Sequence, residues 1–116
     1  MMVKVTIAKG ENFLSLRLEG HAGYAGIGKD IVCASCSILA YSVANIVMEE
    51  ALKGSFSSEP EVRMESSFAS IYCETTKDSH ERLLHAFRTA EVGYRLLSHS
   101  YPQNVEFKIV GKPSEA

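Results

Sequence analysis

The stretch from Ile31 to Met48 holds no charge, and its clearly polar side chains are Ser35, Ser37, Ser42 and Asn45. Asp30 is suited to an N-cap and Gly54 to a stop, so the pattern predicts one helix over 31–52. A helix with one face in water carries a charged stripe, and this one has none, so it must be covered on nearly all sides. A sheet can cover one face. A chain of 116 residues makes a single domain and has little left for the other faces. We therefore expect a homodimer in which the partner covers part of this helix.

The rest of the chain supplies the sheet. Val3, Val5 and Ile7 alternate with Lys4, Thr6 and Ala8; after the turn Lys9-Gly10-Glu11-Asn12, Leu14, Leu16 and Leu18 alternate with Ser15, Arg17 and Glu19. That is a hairpin. The polar connector 54–60 leads to two further alternating runs, 61–65 and 68–74, split by Ser66-Ser67, and these predict a second hairpin. Asp78 and Glu81 have the form of a capping box. Leu83, Leu84, Phe87, Ala90, Tyr94 and Leu97 then make an apolar stripe with Arg82, His85, Arg88 and Arg95 outside it. Pro102 ends this amphipathic helix, and Val105, Phe107 and Ile109 mark a last strand before the polar tail 111–116. The order ββαββαβ predicts a two-layer α+β fold, a mainly antiparallel sheet with two helices on one face, forming one domain over 1–116.

Charge and composition exclude several functions. The net charge is −2, and the twelve Lys and Arg are scattered, so there is no basic stripe of the kind nucleic-acid binding needs. The first residues alternate and lack the apolar run of a signal peptide, and no stretch reaches about 20 uninterrupted apolar residues, so no membrane association is expected. Three cysteines, an odd number, without an export signal predict a cytoplasmic protein with reduced thiols.

The segment GHAGYAGIGKDIVCASCS, residues 20–37, joins the first hairpin to the apolar helix, and its composition admits three readings. Gly23 to Lys29 fit the start of a phosphate loop, but Asp30 stands where that loop needs Ser or Thr, and a carboxylate there would repel phosphate. Cys33-Ala34-Ser35-Cys36 is a C-x-x-C, half a zinc site or a dithiol, yet Cys73 and histidines 21, 80, 85 and 99 have no finger spacing, and the βαβ setting of thioredoxin-like dithiols is missing. The third reading is a nucleophilic thiol. With Asp30 as cap, Cys33 takes the third helical position, where unpaired N–H groups and the positive dipole end favour thiolate. His21 is twelve residues upstream, and a Gly-rich loop folds back readily to bring its ring to the sulfur. Cysteine in an apolar helix is also an ordinary small core residue, which suits Cys36 and Cys73; spacing alone leaves the thiol reading open against that alternative.

Gly20-His21-Ala22, Gly28, Asp30-Ile31-Val32-Cys33-Ala34 and Ser37 together resemble the signature of the ribosomal-processing cysteine protease family, Prp, and the likeness runs over almost the whole chain in length and element order. The resemblance implies a homodimeric bacterial cysteine protease that removes a short N-terminal extension from a large-subunit ribosomal protein, number twenty-seven. It implies a catalytic dyad of His21 and Cys33 and a mobile loop that closes over the substrate peptide; neither cofactor nor metal is expected. Ser35 and Cys36 depart from the family, which carries mostly small or apolar residues there. The C-x-x-C is thus incidental to the shared mechanism, and a redox role for Cys36 stays open.

The expected chemistry follows. His21 takes the Cys33 proton, the thiolate attacks the scissile carbonyl, N–H groups of the helix start hold the oxyanion, and water hydrolyses the thioester. Asp30 caps the helix and is placed to orient His21. The loop is counted as Gly20, Ala22, Gly23, Tyr24, Ala25, Gly26, Ile27 and Gly28: Tyr24, Ala25 and Ile27 line a substrate groove, and Gly23, Gly26 and Gly28 act as hinges. A plain exposed linker remains equally open for Tyr24 and Ala25. The competing class is a non-catalytic dimer that grips a ribosomal protein or assembly intermediate through Arg82, Arg88 and Arg95.

Overall fold

The computed structural model describes residues 1–26 and 28–111. Its elements run β1 (Val3–Lys9), β2 (Phe13–Glu19), α1 (Ile31–Leu52), β3 (Glu61–Glu65), β4 (Phe68–Glu74), α2 (His80–Ser100) and β5 (Val105–Val110), in the order expected. Five strands form one sheet in the order β3-β4-β2-β1-β5. The pairs β1·β2, β2·β4 and β3·β4 are antiparallel, with Val5 opposite Leu18 and Leu16 opposite Ile71. β5 joins β1 in parallel, Val5 opposite Phe107, so α2 is the crossover that carries the chain to the far edge.

Alternation decides which side chains enter the core. Val3, Val5, Ile7, Leu14, Leu16, Leu18, Ala69, Ile71 and Cys73 are buried beneath the helices. On the opposite face Thr6, Ala8 and Ser15 are buried too, since they sit on β1 and β2, two of the three inner strands. α2 presents Leu83, Phe87, Ala90 and Tyr94 to the core; burying side chains of the larger kind contributes about 1.5–3 kcal/mol each.

The two helices lock together at three points. Tyr94 Oη donates to the Cys36 carbonyl at 2.9 Å. Gly93 lets α1 come close: a Cβ there would lie 2.7 Å from Leu39 Cδ1. Arg82 Nη2 donates to Glu50 Oε1 at 2.8 Å, and Ser55 Oγ donates to the same oxygen at 2.7 Å. With Arg82, then Ser55, holding its charged form, the Glu50 carboxyl falls to about 2. Glu91, whose side chain is 3 % exposed, sits between Lys9 and Arg95. Burial alone would raise its pKa, but the Lys9 hydrogen bond and charge outweigh that and lower it.

One expectation needs correction. Asp78 and Glu81 form no capping box: the N-cap is Ser79, whose hydroxyl makes no cap bond and instead accepts from Thr76 N–H at 3.0 Å. The helix over 31–52 is covered by its own chain on one side only, as expected of so short a chain. Val32, Cys36, Ala40, Val43, Ala44 and Val47 are buried, but Ile31, Ile38, Tyr41, Met48 and Leu52 are exposed. Its polar groups are turned back on the helix, with Ser35, Ser42 and Asn45 donating to the carbonyls of Ile31, Ile38 and Tyr41, which leaves the outer face apolar. By length and average composition α1 is also apolar enough to cross a membrane, although Ser35, Ser37, Ser42 and Asn45 interrupt its apolar run. The buried face of a core helix passes the same test.

Candidate active site

β2 ends at Glu19, and Gly20 starts the loop with φ +96°; its N–H donates to the Ser67 carbonyl of the β3–β4 turn at 2.9 Å. A Cβ at this position would lie 2.5 Å from the Met2 carbonyl oxygen, so only glycine fits. His21 follows and is exposed. Ala22 is completely buried, and its carbonyl accepts from Asn104 Nδ2 at 2.8 Å. It anchors the loop in the core and is not part of a substrate-facing flap, which corrects its assignment. The loop is therefore pinned immediately after the histidine.

The other end is held by Asp30. Its Oδ1 accepts from Cys33 N–H at 2.9 Å, capping α1 as expected. Its Oδ2 accepts from the Tyr24 and Ala25 N–H groups at 3.0 and 3.4 Å. Desolvation works to raise this carboxyl, but the N–H groups of Cys33, Ala25, Tyr24 and Val32 outweigh it and hold the pKa below the usual value. One carboxylate thus ties the loop to the first turn of the helix. Among the described residues it makes no hydrogen bond to His21.

Two cavities meet at Cys33. One of about 740 Å³ lies between the loop and the start of α1 and is lined by Gly23, Ala25, Gly26, Gly28 and Asp30. The other, about 420 Å³, runs between α1 and the β3–β4 hairpin past Tyr41, Met64 and Phe68. His21, Cys33, Ser37 and Ser66 line both. An extended peptide passing from one cavity to the other therefore crosses the thiol. Tyr24 lines neither cavity; its ring packs edge-on against Tyr101 at 5.3 Å between centroids, as a second anchor of the loop. Ile27 lies outside the described residues.

The three thiols differ sharply. Cys33 is half-buried, whereas Cys36 and Cys73 are 1 % and 0 % exposed. Burial pushes the Cys36 thiol up to about 12, with Cys33 and Asp30 adding to the effect, and burial does the same to Cys73. Both remain protonated core residues near neutral pH. Among the described residues no group of three or more His, Cys, Asp or Glu side chains gathers to hold a metal ion.

Two features of the site were not legible in the sequence. The Cys33 N–H is already committed to Asp30 Oδ1, and the Ala34 N–H to the Asp30 carbonyl at 3.0 Å. They are not free oxyanion donors in this arrangement, which corrects that expectation for these two groups. Ser37 lies one turn after Cys33 on the same face. Ser35 and Ser42 bond back to helix carbonyls, but the Ser37 hydroxyl has no partner among the described residues and borders both cavities. The i, i+4 spacing from Cys33 was the available signal.

The basic face of α2 is largely used internally. Arg82 is bound to Glu50 and Arg95 to Glu91 at 2.6 Å. This removes most of the footing for a partner surface built on those arginines.

Residues 2–106 match the family described as cysteine protease Prp. Crystal structures of relatives share the fold. The essential ribosomal processing protease Prp of S. aureus, with a covalently linked product peptide, is 20% identical with a TM-score of 0.69, over 93% of this chain and 99% of that one. The same S. aureus protease with a substrate peptide is 19% identical with a TM-score of 0.64, over 93% and 99%. SMU.848 from Streptococcus mutans is 26% identical with a TM-score of 0.69, over 96% of each chain. A search of curated proteins found no match.

Proposed function

The chain belongs to the cysteine protease Prp family, and on that premise we propose that it cleaves a short N-terminal extension from the large-subunit ribosomal protein number twenty-seven, using Cys33 as nucleophile and His21 as general base. The observation that carries this reading is that Cys33, the one cysteine of the three outside the core, lines the same two cavities as His21. The related S. aureus ribosomal processing protease is seen with a substrate peptide and with a covalently linked product peptide, which supports a peptide chain as the occupant of the connected cavities.

In this mechanism His21 takes the thiol proton, and the Cys33 sulfur attacks the scissile carbonyl. The C–S bond forms as the carbonyl π pair moves to oxygen. Ser37 donates its hydroxyl to that oxyanion, since the Cys33 and Ala34 N–H groups are occupied. Collapse expels the new amine, which receives the proton from His21, and water then hydrolyses the thioester. Asp30 keeps the loop and the nucleophile in register through its three backbone partners. No cofactor enters.

We also propose that two copies pair through the outer face of α1, where Ile38 is 63% and Leu52 91% exposed. Free cysteines, two of them in the core, suit a reducing cytoplasm.

Mass spectrometry of the candidate ribosomal protein after incubation with this chain tests the assignment. The expected product lacks an N-terminal segment, and Cys33→Ala yields none. An intact protein with the unmodified enzyme overturns the substrate; cleavage by Cys33→Ala overturns the nucleophile.

A further inference from the structure

We infer that Cys33 and Cys36 are an oxidative modification site, in which a hydroperoxide oxidises the nucleophile and Cys36 traps it as a reversible intrahelical disulfide. The inference rests on Cys33 being the reactive thiol, as proposed above.

Both residues border the cavity between α1 and the β3–β4 hairpin, while Cys73 borders none of the cavities at the site. A spacing of three on a helix puts the two side chains on one face with Cβ atoms about 5–6 Å apart. A disulfide needs about 3.5–4.5 Å, so the first turn must yield by an ångström or so. That turn is the part of α1 able to yield. The Cys33 N–H is held by the Asp30 side chain rather than by a helix carbonyl, and Ile31 is 56% exposed. Cys36 is the fixed partner: it is 1% exposed, and its carbonyl accepts from Tyr94 Oη.

The difference in exposure orders the chemistry. The Cys33 thiolate attacks the peroxide oxygen; the S–O bond forms, the O–O bond breaks and the hydroperoxide leaves as alkoxide or hydroxide, giving a sulfenic acid. The Cys36 sulfur then displaces the sulfenic hydroxyl. The S–S bond forms, the S–O bond breaks, and the thiol proton departs with the hydroxyl as water. Two thiols have lost two electrons, and one hydroperoxide has gained them. Because the bridge distorts the helix start, a dithiol reduces it readily. The bridge shields Cys33 from the irreversible sulfinic and sulfonic stages.

The test uses the intact protein treated with hydrogen peroxide, then denatured, alkylated and mapped by peptide mass. The expected result is a peptide in which residues 33 and 36 have together lost two hydrogens and resist alkylation, while Cys73 is alkylated. Cleavage of the ribosomal protein is lost and returns with dithiothreitol. In Cys36→Ala the same treatment leaves two or three oxygens on Cys33, and dithiothreitol restores nothing. An oxygenated Cys33 beside an alkylated Cys36 in the unaltered protein overturns the inference, as does a Cys33–Cys33 link between two chains. The mass readout is independent of proteolysis. A disulfide formed in a protein that cuts no ribosomal protein therefore sustains the pair and overturns the substrate instead.

Discussion

The two helices lie on the same sheet and are built on opposite plans. α2 turns Leu83, Phe87, Ala90 and Tyr94 inward and keeps arginines outside, so its own chain covers its apolar stripe and leaves Leu96 as the main apolar side chain in water. α1 is apolar outside as well as inside, and its first turn carries the thiol. The contrast teaches that an amphipathic stripe records what a chain covers by itself. A helix without one takes part of its environment from elsewhere: from a substrate at its start and, in our proposal, from a second copy along its flank.

The sharpest way to break this contrast is at the first turn. Cys33→Ala should reduce cleavage on the order of 10⁶-fold with an unchanged circular dichroism spectrum, whereas Cys73→Ala, equally a cysteine, should keep its kcat. One turn further, Ser37→Ala should lower kcat by about 10²–10³-fold and leave the alkylation rate of Cys33 unchanged; Ser42→Ala, whose hydroxyl is bonded back to Ile38, should alter neither quantity. Equal effects of the two serines in a kinetic assay would remove Ser37 from the mechanism.

On the flank, Ile38→Glu should weaken pairing by about 10²-fold or more, since a charge buried without a partner costs several kcal/mol. Leu96→Glu on α2 should not, although Ile38 and Leu96 are both 63% exposed. Sedimentation at micromolar concentration reads the difference, and a monomer before any substitution defeats the dimer. The smallest effect is where the helices touch. Glu50→Gln should cost about 1.5–3 kcal/mol in urea unfolding, the range for hydrogen bonds to charged groups. Because the folded carboxyl titrates near 2 against 4.5 for the free group, the unfolded chain binds more protons between those values. Stability from Glu50 is therefore full above 4.5 and lost as pH falls toward 2, and Glu50→Gln should flatten that slope.

Much of the fold was readable because the core lies under strict alternation: the strands 61–65 and 68–74 and the helix over 31–52 have the bounds expected. What escaped depends on distant residues. No local pattern announces that β5 pairs with β1 in parallel, or that Glu50 and Glu91 are buried because Arg82, Lys9 and Arg95 come to them. Asp78 and Glu81 had the spacing of a cap, but Ser79 and Thr76 closed the turn between themselves first. At the site, the grouping of His21 with Cys33 followed from a histidine and a helix start joined by glycines. Ala22 did not, because nothing nearby in sequence predicts that Asn104 reaches its carbonyl.

Asp30 makes the amide of Cys33 an intrinsic gauge. Because the same carboxylate holds that amide and the backbone of Tyr24 and Ala25, any displacement of the flap is transmitted to one N–H next to the reacting sulfur. Nitrogen-15 labelling of cysteine alone would then test from the Cys33 resonance whether the entrance opens and closes, without a probe attached to the loop.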